Sequence, residues 1–191
     1  MPNPSRANPA AASLALSEAK SWLRVTHTAD DALISELIDA ARDTVEEHCC
    51  RTLVNRVCTY VLDADDIRGS KYIWMPFGPV VSITSATVYD TDGNTTLVTA
   101  SDYFLDGDRL VNYTGWEYGR LWKSLSIVYV AGYGASHTSI PQGLRQVVRV
   151  CLADLYMSRQ SEVAGTTVVR SAQTWQSLSE PYRQGHLTTW H

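Results

Sequence analysis

The order of its parts constrains this chain most: two short amphipathic helical segments, a long strand-rich block punctuated by Gly and Pro, then one further amphipathic helix. Helices separated in sequence by strands predict an α+β fold, a small helical bundle carrying an inserted antiparallel β-rich block. At 191 residues the chain fits one domain with room for a subdomain. The expected divisions are a flexible arm over 1–12, a main domain over 13–160 and an extended C-terminal tail over 161–191. The main domain comprises a helical body (13–50 and 140–160) and a β-rich insertion (51–136).

The first helix is expected to begin near Ser13 or Ser17, either of which could serve as N-cap, and to end around Val25. Leu16, Ala19 and Leu23 share one stripe of it. Thr28, Asp30 and Asp31 then offer a cap oxygen and negative charge to the positive end of a second helix. Its apolar face is Leu33, Ile34, Leu37, Ile38, Ala41 and Val45, spaced at the helical period. The opposite face carries Glu36, Asp39, Arg42, Asp43, Glu46 and Glu47, and a charged face of this kind is ordinarily a solvated one. Pro141 suits the first turn of the last helix, whose buried face is Leu144, Val147, Val148, Cys151, Leu152, Leu155 and Tyr156.

Between them the period changes to two. Val57–Leu62, Lys71–Met75, Val80–Tyr89, Thr95–Val98, Tyr103–Asp106, Arg109–Tyr113 and Leu125–Ala131 read as strands. Asp90-Thr91-Asp92-Gly93-Asn94 and Gly107-Asp108 read as hairpin turns. The Asp-x-Asp of the first turn is no calcium loop, because its glycine falls at the fourth position and Ser101 stands where a bidentate Glu belongs. Gly132-Tyr133-Gly134 lacks a following Lys-Ser/Thr and reads as a strand-ending turn rather than a phosphate loop.

Chemistry is sparse. His27, His48, His137, His186 and His191 are scattered, with no nucleophile motif and no paired-histidine helix, so no catalytic residue is assigned. The cysteines at 49, 50, 58 and 151 form no CxxC pair and read as small buried hydrophobes, so neither a metal nor a cofactor is assigned. No apolar stretch reaches membrane-spanning length and no secretory signal is visible, so no membrane partner is expected. The Asn94 and Asn112 triplets then read as chance sequons.

The net charge is −4, distributed as −4 over 1–50, −2 over 51–136 and +2 over 137–191. A DNA-gripping packaging factor of the small-terminase kind, the rival functional reading, calls for a basic helix-turn-helix face, whereas the N-terminal helix pair is acidic. Ten Tyr and six Trp stand beside only two Phe, a bias that suits interfaces as well as strands. Residues 161–191 are rich in Ser, Thr and Gln, with isolated Trp175, Leu178, Tyr182 and Trp190. Such a segment orders by sinking aromatic anchors into a partner or into its own body, the partner being the preferred reading.

Several stretches in order bear a family likeness. Leu16-x-x-x-Lys20-x-x-Leu23-Arg24-Val25 and Asp30-Asp31-x-Leu33-Ile34-x-x-Leu37-Ile38-x-x-Ala41 are followed by Met75-Pro76-x-Gly78-Pro79-Val80, Tyr89-Asp90-x-Asp92-Gly93 and Asp102-Tyr103. Val128-Tyr129-x-Ala131-Gly132-Tyr133-Gly134 then precedes Ile140-Pro141, with Tyr156 and Arg159 near the helix end and Leu178-x-x-Pro181-Tyr182-Arg183 near the terminus. Together they resemble the head-tail connector (adaptor) proteins of tailed bacteriophages and of related gene transfer agents. Cys49-Cys50, where a small or glycine-bearing helix end is usual, and the lack of a Trp-Pro step in 116–122 are departures.

The resemblance implies a structural virion protein assembled in the bacterial cytoplasm. Twelve copies would form a ring on the portal after packaging, extend the DNA channel and provide the platform for the stopper or tail-completion protein. It implies that the tail reaches the portal through Trp175, Leu178, Pro181, Tyr182 and Arg183, and that the Leu33–Val45 stripe, with Leu144, Val148, Leu152 and Leu155, is helical packing. Duplex DNA should pass without sequence-specific binding. Glu36, Asp39, Asp43 and Glu46 are the candidate lumen face, because a repelling wall lets phosphates slide.

Overall fold

A computed structural model describes residues 3–116, 123–158 and 174–184. In chain order the elements are β1 (Asn3–Arg6), α1 (Leu16–Leu23), α2 (Asp31–Cys49), β2 (Arg56–Leu62), the single-turn α3 (Ala64–Ile67), β3 (Tyr72–Trp74), β4 (Val80–Tyr89) and β5 (Thr95–Leu97). These are followed by β6 (Tyr103–Asp106), β7 (Arg109–Asn112), β8 (Leu125–Ala131), α4 (Gln142–Ser158) and α5 (Trp175–Ser179). The fold is α+β, and the chain divides into two compact units, one of strands and one of helices.

The helical unit comprises Ala10–Val54 and Tyr133–Gly185. Ile34, Ile38, Ala41 and Val45 of α2 meet Leu144, Val148 and Leu152 of α4 in one core. Leu37 and Leu155 are half-buried against that core, whereas Leu33, also half-buried, is not among the residues packed on it. Both long helices spend a 3.6-residue stripe on this contact, and each fully buried Leu or Ile side chain contributes roughly 1.5–3 kcal/mol.

Helix ends differ from the sequence expectation. α1 starts after Ala15, with no side-chain cap, and Ser13 is buried instead. The Asp30 carboxylate at the start of α2 does not cap either: it accepts the Tyr156 hydroxyl of α4 at 2.7 Å, while Asp31 pairs with the Lys20 ammonium of α1 at 2.5 Å. These acids tie three helices together. Both α1 and α2 stop at non-glycine residues in the left-handed region, Arg24 (φ 58°) and Cys50 (φ 51°).

The strand unit takes in residues up to Pro9 and Asn55–Gly132. A five-stranded sheet of order β1-β2-β8-β4-β5 and a three-stranded sheet of order β3-β7-β6 are antiparallel throughout. Cys58, Tyr60, Ile127 and Tyr129 from the first sheet share one core with Ile73 and Leu110 from the second. Register shifts near Val81 and Thr84 let the long β4 keep Ile83 and Ala86 on the core side. The phenol of Tyr129 donates to the Pro76 carbonyl at 2.6 Å, and burial pushes its pKa far up, so it remains a donor.

The N-terminal arm is not free. Residues 3–6 pair with β2 in the register Asn3↔Val61 to Arg6↔Cys58, and the Arg6 guanidinium lies 4.2 Å from the Phe77 ring centroid. Pro4 obscured this strand, since proline is excluded from central strands; β1 is an edge strand, where a missing N–H can face outward. At the far end of β8, Gly132 (φ 139°) is required: a side chain there would run into the Asn55 backbone.

Candidate interaction surfaces

The described part of the C-terminal segment docks on its own helical unit. Thr174 caps α5, and a 3₁₀ turn over Glu180–Tyr182 follows it. Trp175 meets the His48 ring edge-on at 5.2 Å between centroids, and Leu178 and Tyr182 lie half-buried against the core of α2 and α4. Two hydrogen bonds to backbone carbonyls fasten the segment: Gln184 N–H donates to the Cys49 carbonyl at 3.0 Å, and the Arg51 side-chain Nε to the Tyr182 carbonyl at 2.5 Å. Gly143 makes room for this docking, because a methyl group there would overlap the Tyr182 hydroxyl.

The aromatic anchors of 174–184 are thus turned inward, not outward as the preferred reading of the tail had it. The helical core lacks a cover over Cys49 and the first turn of α4, and the nearest apolar groups in space supply it. Of the five tail residues singled out from sequence, only Pro181 and Arg183 are exposed. Residues 159–173 and 185–191, including Arg159 and Trp190, lie outside the described residues.

The acidic face of α2 is smaller than its sequence suggests. Glu36, Asp39 and Asp43 are exposed, but Glu46 is fully buried, its Oε1 accepting the Leu53 N–H at 2.7 Å. Glu46 therefore leaves the candidate lumen face: the loop after α2 folds over it, and the carboxylate satisfies a backbone donor. Arg42 is also buried, its guanidinium donating to Asp39 at 2.6 Å and to Asp43 at 3.0 and 3.1 Å. Arg42 thus offsets one of the charges of Asp39 and Asp43 where they stand.

A second charged cluster joins α1 to α4. The Glu18 carboxylate accepts from Arg145 at 2.7 and 2.9 Å and also from Arg149, beside Trp22, which remains 44% exposed. Arg145 and Arg149 both lie off the buried stripe of α4. Their alignment with Glu18 depends on the angle between two helices far apart in the chain.

In the strand unit, alternation sorts β2, β8 and β4 into a core side and an outer side. The outer rows are Val57–Val130–Ser82 and Thr59–Val128–Ser85, directly opposed across the strands. The three strands carry one charged residue, Arg56, and it is buried. The outer face of the three-stranded sheet bears Tyr72, Trp74 and Phe104, with Tyr113 just beyond β7 packed 5.2 Å from Phe104. All four aromatics are exposed, Tyr113 by 62% and Tyr72 by 49%. Arg109 lies over the Trp74 ring and is ion-paired with Asp106.

Among the described residues no reactive groups converge. Cys49, Cys58 and Cys151 are buried, and burial raises the Cys49 thiol and pushes Cys151 up to about 11, away from thiolate reactivity. Among the described residues no group of three or more His, Cys, Asp or Glu side chains could hold a metal ion, and no helix is long and apolar enough to cross a membrane.

Comparison with known proteins gives this arrangement its context. A family model described as phage gp6-like head-tail connector protein matches residues 13–113. No curated protein matches the chain. Among solved structures, a chain from the neck of an empty GTA particle computed with C6 symmetry is similar, with a TM-score of 0.77 at 24% identity over 96% of this chain and 95% of that one. A chain from the virion of a native gene transfer agent (GTA) particle gives 0.75, again at 24% identity, with 96% and 95% covered. One from the neck of a native GTA particle computed with C12 symmetry gives 0.71 at 24% identity, over 96% and 94%. These likenesses establish a common fold over most of the chain, and the family match covers more than half of it: the chain belongs to the phage gp6-like head-tail connector family.

Proposed function

We propose that the protein is a ring-forming adaptor of a virion neck, twelve copies seated on the portal after DNA packaging, extending the DNA channel and presenting a platform to the stopper or tail-completion protein. The carrying observation is the agreement of the whole fold with chains from GTA necks, one of them computed with C12 symmetry, in a protein of the head-tail connector family. The absence of a converging reactive site among the described residues is in keeping with a purely structural task. The uncharged and aromatic outer faces are in keeping with extensive contact.

Within this reading, Glu36, Asp39 and Asp43 form the lumen face of α2, a mildly acidic surface past which duplex DNA slides without specific binding. The C-terminal segment reaches the portal with Pro181 and Arg183 at its outer surface, while Trp175, Leu178 and Tyr182 set its pose from beneath. The deciding experiment mixes the purified chain with its cognate portal and images the product by electron microscopy. A coaxial ring stacked on the portal is expected, and a portal left bare would overturn the reading. Pro181→Ala with Arg183→Ala should weaken docking at least tenfold with no change in the far-ultraviolet spectrum. Undiminished docking would remove the segment from the portal contact.

A further inference from the structure

The strand unit has two outer faces, and the packing of its sheets places them on opposite sides. Ile73 and Leu110 of the three-stranded sheet point into the same core as Tyr60, Ile127 and Tyr129 of the five-stranded sheet. Side chains alternate along a strand, so Tyr72, Trp74 and Phe104 point away from that core in one direction, and Val57, Thr59, Val128 and Val130 in the other.

Both faces have the character of interface cores. The five-stranded face presents Val, Thr and Ser rows with no charge to desolvate. Three strands at roughly 4.8 Å spacing and seven residues at roughly 3.3 Å rise give it an area on the order of 300 Å², the size of the largest apolar patch on an ordinary monomer, which is often a functional one. The opposite face presents four exposed aromatics, the residue type that dominates contact energy, and its only charges within the strands, Asp106 and Arg109, are paired to each other. Flat aliphatic against protruding aromatic, neutral against neutral, is the complementarity that two such surfaces offer each other.

Cyclic symmetry demands this kind of pair. A closed ring is built from heterologous contacts, in which one patch of each copy meets a different patch of the next. Opposite sides of one unit are where those patches have to lie. We infer that the occupant of each face is a second copy of this chain: the aromatic face around Tyr72, Trp74 and Phe104 of one copy seats on the Val57–Thr59–Val128–Val130 face of its neighbour. This rests on the ring reading above and specifies its contact.

Two variants block the faces separately. Phe104→Lys places a cation on the aromatic face, and Val57→Glu with Ser82→Glu places two anions on the aliphatic face. All three positions are exposed, so folding should survive, which circular dichroism and the thermal midpoint check. Native mass spectrometry then counts copies loaded on the portal. Wild type should give closed rings, each variant alone isolated copies with at least a tenfold loss of full rings, and the equimolar mixture pairs but no longer runs, since only one intact face remains on each partner.

A full ring from either folded variant overturns the inferred contact and leaves the ring reading standing. So does like-with-like pairing, in which one variant alone forms pairs through its intact face. A wild-type chain that never associates with itself overturns both.

Discussion

Two residues carry more than their sequence positions suggest. Cys50 ends α2 with φ at 51°, a conformation in which a Cβ crowds the following carbonyl, and the Arg51 N–H reaches back to the Glu46 carbonyl to close the turn. Replacing Cys50 by Gly should stabilise the protein by about 0.5–1 kcal/mol, read as a raised urea midpoint. Glu46 looked like one more member of a solvated acidic row. Its carboxylate instead supplies the acceptor for Leu53 N–H inside the core, so Glu46→Ala should cost about 1–3 kcal/mol by orphaning that donor. Glu46→Gln keeps an acceptor oxygen and should cost less, a difference that equilibrium denaturation of the two variants would resolve.

At the scale of elements, docked segments and turns are held by a few contacts each. Gly143 and Tyr182 are mutually dependent, because the helix must lack a side chain where the hydroxyl lies. Gly143→Ala should strengthen α4 by up to about 1 kcal/mol in propensity yet displace Tyr182, and limited proteolysis should then cut near α5 several times faster. The β4–β5 turn depends on Asp90. Its carboxylate accepts from the Asn94 side chain at 2.9 Å and from the Asp92 and Asn94 N–H groups at 2.9 and 2.8 Å, and these bonds hold its pKa below the ordinary aspartate value. A depressed folded pKa means that the contribution is present above pH 3.8, the ordinary value, and is lost as the pH falls through the lower folded one. The protection factors of the Asp92 and Asn94 amides, which correct for the intrinsic slowing of exchange in acid, should therefore fall as the pH drops below 3.8, ahead of global unfolding. The element pattern itself was largely legible: the long stripes of α2 and α4 and the alternation of β2 and β8 are set by local periodicity. β1 escaped because its proline speaks against a strand until the neighbour that tolerates it is known.

At the scale of the whole molecule, the charge pattern and the family together predict indifference to DNA. The free protein should not retard a duplex at 150 mM salt in a gel-shift assay, and binding that weakens steeply with added salt would contradict a sliding channel. The sequence alone determined the fold class, because 3.6-residue stripes, period-two runs and turn chemistry are set by residue type at short spacing, and its ordered stretches of likeness to the connector proteins pointed to the family. Only the tertiary structure decided that Glu46 is buried, that Glu18 meets Arg145 and Arg149, and that Trp175 and Tyr182 face their own helices. Each of these joins residues distant in the chain, and which partner a side chain finds depends on how the elements pack, which no local pattern of amphipathicity encodes.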